Sequence, residues 1–145
     1  VQTTVRDLLI RKGSVVNSVR ANCSVFDAVN QFIEHNIGAV LVMDGPQLVG
    51  IVSERDVARN VVLETKTERE TAVTEIMSHD VVTVAPDASV EDCMELMTNK
   101  RVRHLPVVDG TRVVGIVSIG DCVNAMLTQK QFVIDQLEGY ITGRV

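Results

Sequence analysis

The chain has no Trp, one Tyr and three Phe. Its core must therefore be assembled from Val, Ile, Leu and Met rather than from rings. It has three Cys, at positions 23, 93 and 122, too few and too widely spaced for a disulfide framework, and no C-x-x-C pair to hold a metal. All three lie in apolar-periodic segments and read as reduced core thiols in a reducing compartment, by default the cytoplasm. Positive charge is short as well: 14 Lys and Arg stand against 19 Asp and Glu, a net charge of −5 with no basic run. That balance argues against nucleic acid or an anionic membrane as the main partner. No stretch approaches the roughly 20 apolar residues of a membrane span. No signal peptide is visible, although a chain that begins at Val1 leaves open what preceded it. His35 and His79 lack a partner at metal-ligand spacing, and the glycines form neither a G-x-G-x-x-G nor a Walker loop. No nucleophile motif accompanies the acids, so the chain does not read as an enzyme.

What is present is a duplication. Gly50-Ile51-Val52-Ser53-Glu54-Arg55-Asp56 returns 65 residues later as Gly115-Ile116-Val117-Ser118-Ile119-Gly120-Asp121, and Asp44-Gly45 returns as Asp109-Gly110 at the same shift. At 145 residues and 46% apolar content the chain suits one domain, whereas a single repeat would be marginal, so the halves are expected to fold against each other. Val25, Ala28, Val29, Phe32 and Ile33 predict an amphipathic helix, and Val90, Cys93, Met94 and Met97 predict its counterpart. Ser24-x-x-Asp27 and Ser89-x-x-Asp92 stand before them as caps. Two apolar runs follow in each half, 39–43 with 48–52 and 105–108 with 113–117, joined by the Asp-Gly turns into hairpins.

A second helix starts at Ser53 and at Ser118, and short apolar stretches, Val15-Val16 and Val81 to Val84, lead in as strands. The expected fold is α/β of the α+β type: two β-α-β-β-α repeats about a pseudo-twofold axis. Repeat one spans 1–64, an exposed linker 65–71, repeat two 72–128 and a C-terminal helix 129–145. That third helix rests on Phe132, Ile134, Leu137, Tyr140 and Ile141, loosened by Gly139 and Gly143.

Two copies of apolar-x-Gly-Ile-Val-Ser-x-x-Asp, with Arg103-His104-Leu105-Pro106-Val107-Val108-Asp109 in the second half, resemble a tandem pair of CBS domains. This is the module named after cystathionine β-synthase, called a Bateman module when paired. The resemblance covers almost the whole chain. It implies sheets stacked back to back, two related clefts, and adenosine ligands such as AMP, ATP, NAD or S-adenosylmethionine. It further implies a flat homodimer and a regulated partner protein that the sequence does not identify.

Taken alone, Ser53-x-x-Asp56 and Ser118-x-x-Asp121 are helix caps like the pairs at 24 and 89. They differ in ending a strand and opening a helix, where free N–H groups favour a phosphate and a carboxylate can accept from ribose hydroxyls. The resemblance makes Asp56 and Asp121 the ribose ligands. It combines Ile51, Ser53, Arg55 and Asp56 with Val82, Val102, Arg103 and His104 in one cleft. The other combines Ile116, Ser118 and Asp121 with Asn17, Ile37, Gly38 and Ala39. Gly120 stands where the first cleft has Arg55, so Lys12, in the turn Arg11-Lys12-Gly13, is the candidate phosphate contact of the second. A ligand-free dimerisation module remains the rival reading. Val57, Val61, Val62, Val123, Met126 and Leu127 form the apolar surplus expected to pair two copies, with Phe132, Leu137 and Tyr140 at its edge.

Overall fold

In chain order, a computed structural model shows α1 (Val5–Lys12), β1 (Ser18–Arg20), α2 (Val25–His35), β2 (Ala39–Asp44), β3 (Gln47–Ser53) and α3 (Glu54–Val57). After α3 come a π-helical turn (Ala58–Val62), α4 (Val73–Ile76), α5 (Val90–Lys100), β4 (His104–Asp109), β5 (Arg112–Ser118) and α6 (Ile119–Thr142). The structure describes residues 2–62 and 67–142, and the side chains of 62 and 140–142 lie outside that description.

The amphipathic helices and hairpins form where their patterns placed them. Val25, Ala28 and Phe32 of α2 are buried, as are Val90, Cys93 and Met97 of α5. Ser24 and Ser89 cap these helices, and Asn36 and Arg101 close them in the left-handed conformation, φ 52° and 56°. β2 pairs antiparallel with β3, and β4 with β5, through turns whose Gly45 and Gly110 have φ of 59° and 66°. Each hairpin shifts register at the same place, between Val42 and Met43 and between Val107 and Val108. Val40, Val42 and Val52 face the helices of the first core. Strand alternation turns Leu41 to the opposite side, where it is also fully buried, as is its counterpart Pro106. The tips of both hairpins, with Leu48, Val108 and Val113, border one open groove of 550 Å³ that none of the expected site residues lines.

The leading helices were not foreseen, and they cross. Val5, Leu8 and Leu9 of α1 belong to the core of the second half, with Val90, Leu105 and Val117. Val73 and Ile76 of α4 belong to the core of the first half, with Val25, Val40 and Val52. The stitching is reciprocal. Val5 N–H donates to Ala88 C=O (2.8 Å) and Val90 N–H to Thr3 C=O (3.0 Å). Likewise Val25 N–H donates to Thr71 C=O (2.8 Å) and Val73 N–H to Cys23 C=O (3.0 Å). Neither repeat completes its core without a helix from beside the other.

Four expectations are corrected. The first lead-in strand is Ser18–Arg20, parallel to β2, and not Val15-Val16; Val15 is 77% exposed, because the chain leaves α1 at Gly13 and reaches the edge of β2 only at Ser18. In the second half only Val84 pairs, through a single parallel bridge to Val107. The linker is exposed at 67–70 but not at Thr71, which is buried; Glu68 C=O accepts from Phe26 N–H, and the Arg69 guanidinium sits 4.2 Å from the Phe26 ring centre. The C-terminal helix is no separate element either, since α6 runs unbroken from Ile119 to Thr142 through Gly139. Gly143 lies outside the described residues.

Candidate functional site

At the end of each hairpin a strand turns directly into a helix. Ser53 N–H donates to Asp56 Oδ2 (2.9 Å) while Asp56 N–H donates back to Ser53 Oγ (3.2 Å). Ser118 and Asp121 repeat this at 2.8 and 3.1 Å. All four Ser-x-x-Asp pairs are thus capping boxes. The pairs at 53 and 118 leave half-buried carboxylates beside a strand end, whereas Asp27 and Asp92 are exposed.

The flanking residues are positioned by their own hairpins. Gly38 C=O accepts from Glu54 N–H (3.0 Å), and Arg103 C=O from Ile119 N–H (2.9 Å). Asn17 C=O accepts from Leu41 N–H, Ala39 pairs with Ser53, and Ile37, Val82 and Val102 pack against the two cores. Three contacts join the halves here. Ile51 exchanges backbone hydrogen bonds of 3.2 and 2.9 Å with Ser78. Gly38 abuts His104, so that a methyl group there would lie 3.6 Å from the imidazole Cε1 and 3.1 Å from Glu54 Oε1. Lys12 Nζ donates to Asp121 Oδ2 (2.6 Å) and to Ile116 C=O (3.0 Å). Lys12 closes α1 and is not in a turn; the crossing of α1 onto the second half is what carries it there.

Arg55 and Arg103 are exposed, while His104 is half-buried. Burial pushes the His104 pKa below its ordinary value; Asp121 opposes this, and Lys12 and Arg103 add to it. His104 therefore belongs electrostatically with Lys12 and Asp121 as well as with Arg103. Burial alone would raise the Asp121 pKa, but Lys12 and the Ser118 N–H together hold it below the usual carboxylate value. Folding favours neutral His104, so its contribution is complete above about pH 6.5 and is lost as the unfolded chain takes up a proton below that. Urea midpoints are expected to fall more steeply between pH 7 and about 5.5 for the parent chain than for His104→Gln. Parallel curves would show the imidazole to be solvated.

A family model for the CBS domain matches residues 5–63 and again 73–128. The chain belongs to the CBS-domain family. Over 97% of its length it is 36% identical to 73% of the mitochondrial CBS domain-containing protein CBSX3 of Arabidopsis thaliana. Among solved structures it resembles a CBS-domain containing protein from Agrobacterium tumefaciens: TM-score 0.82, 38% identity, 86% of this chain and 99% of that one. It also resembles the CBS domain pair of protein MJ0100 in complex with 5′-methylthioadenosine and S-adenosyl-L-methionine, with TM-score 0.78 and 30% identity over 90% of this chain and 99% of that one. The fold is that of a CBS pair.

One feature of this CBS pair escaped the 65-residue repeat because it obeys another. Thr4, Val5, Asp7, Leu8 and Leu9 match Ala72, Val73, Glu75, Ile76 and Met77 at a shift of 68, with Asp7 and Glu75 both bonding the N–H before the helix.

Proposed function

We propose that this CBS pair is a regulatory sensor, not a catalyst, taking an adenosine-containing ligand in clefts around Asp56 and Asp121. The observation that carries the reading is the repeated strand-to-helix junction, each with a half-buried carboxylate, in a chain similar to a pair holding adenosine derivatives. The positive dipole end at the opening of α6 suits an anionic group, and the carboxylates suit ribose hydroxyls. Arg55 and Arg103 favour a phosphate, which puts AMP, ATP and NAD ahead of S-adenosylmethionine for the Asp56 cleft. The three thiols are free, Cys93 and Cys122 being fully buried, which suits a reducing compartment such as the cytoplasm.

AMP is expected to raise the melting temperature more than GMP or CMP does. At a hundred times its dissociation constant the gain is about 2.7 kcal/mol. Hydrogen bonds to a charged group contribute about 1.5–3 kcal/mol, so Asp56→Ala should weaken AMP roughly tenfold or more in calorimetry. No heat with any adenosine ligand, on protein shown free of bound nucleotide, would leave the Ser-x-x-Asp pairs as caps and favour the ligand-free module.

Two copies pair, in this reading, through α6. Val57, in α3, and Val61, in the π-helical turn, pack partly buried against their own core and so drop out of the surplus first expected. The side chains of Val62 and Tyr140 lie outside the described residues. Val123, Met126 and Leu127 remain 41%, 38% and 61% exposed, and Phe132 and Leu137 continue the apolar surface along α6. Light scattering is expected to give twice the chain mass for the parent and the chain mass for Met126→Glu. A parent monomer at micromolar concentration would remove the dimer.

A further inference from the structure

We infer that Lys12 closes the Asp121 cleft to nucleosides, so that each chain takes one, at Asp56. The inference rests on the adenosine-binding reading and narrows it from two clefts to the one at Asp56. Lys12 Nζ is held by two acceptors at once, the Asp121 carboxylate at 2.6 Å and the Ile116 carbonyl at 3.0 Å. Its stem rises from the last turn of α1, which Leu8 and Leu9 bury in the second core and which Thr4 caps at the other end. The ammonium is thus delivered from an anchored helix.

A ribose that would use Asp121 must take the carboxylate from this ammonium. Hydroxyl donors carry no charge, so a ribose would replace an ion pair by bonds in which only the carboxylate is charged, and would leave the Lys12 ammonium without its counter-ion. The other cleft carries no such closure. Sixty-eight residues on from Lys12 stands exposed Asp80, an acid, and among the described residues the Asp56 side chain bonds only Ser53 of its own cap. Near-identical motifs at 53 and 118 are therefore one open site and one closed site.

Calorimetric titration with adenosine, which has no phosphate for Lys12 to follow, tests this. The parent chain is expected to bind one adenosine, lost in Asp56→Asn and retained in Asp121→Asn. Lys12→Met keeps an unbranched side chain without the charge and is expected to bind two, with affinities within about tenfold of each other, the second removed by adding Asp121→Asn. Lys12→Arg keeps the charge and should stay at one, which also controls for disturbance of α1. Two sites in the parent chain, a single site that depends on Asp121, or no second site in folded Lys12→Met overturns the closure. Absence of heat from parent and Lys12→Met alike overturns the adenosine reading and the closure with it, so the two failures differ.

Discussion

Truncating Leu8 to alanine is expected to lower the stability of the whole chain by about 2–5 kcal/mol, although Leu8 precedes the first repeat's own sheet and helix. Leu8 is 5% exposed and packs in the core of the second half. Its counterpart Ile76, 6% exposed in the core of the first, should cost a similar amount when changed to alanine. Because α1 completes one core and α4 the other, each loss should appear as one lowered cooperative transition, with no half melting separately. Urea titration followed by circular dichroism, with amide NMR signals read for both halves, checks this. A biphasic curve in Leu8→Ala, with residues 18–57 still protected after 84–128 have melted, would mean that the halves are held together only loosely.

How much of this was legible follows from which signals are local. Ser24 and Ser89 announce α2 and α5, Asp44-Gly45 and Asp109-Gly110 announce the hairpins, and the doubled Gly-Ile-Val-Ser-x-x-Asp announces their common exit into a helix. Each of these rests on turn and cap chemistry within a few residues. Val15-Val16 misled because two β-branched residues in a row look like a strand, whereas position relative to β2 decides pairing and leaves only Val19 buried in β1. The four-residue α4 is too short for helical periodicity to appear at all. The repeat ends at 128 but the helix does not, and α6 runs on through exposed Phe132, Val133 and Leu137. At the clefts, Ser53, Asp56, Ser118 and Asp121 could be named from sequence as a pattern. The bond between Lys12 and Asp121 could not, since it depends on α1 crossing to the other half.

The same crossing gives the last expectation, that valine at Gly50 is tolerated worse than valine at Gly115. Both glycines are buried in the second strand of a hairpin, at matching positions facing the leading helix of the other half. A Cβ at Gly115 would lie 2.6 Å from a Leu9 methyl and 3.3 Å from Leu9 Cγ, atoms of one side chain that can turn away. At Gly50 it would lie 2.3 Å from Met77 Sδ and 3.1 Å from the Ser78 carbonyl oxygen. Met77 can move, but the Ser78 backbone is pinned by its two hydrogen bonds with Ile51. Overpacking a closed core costs about 1–3 kcal/mol, and Gly50→Val should reach about 3 kcal/mol or more because backbone must yield. Leu9→Ala should recover part of the loss in Gly115→Val. Met77→Ala should recover less in Gly50→Val, since the carbonyl remains, and denaturation of the four single and two double variants measures both couplings. Equal rescue at the two positions would show that the Ser78 backbone gives way as readily as a side chain, and that the crossing on the first half is the softer of the two.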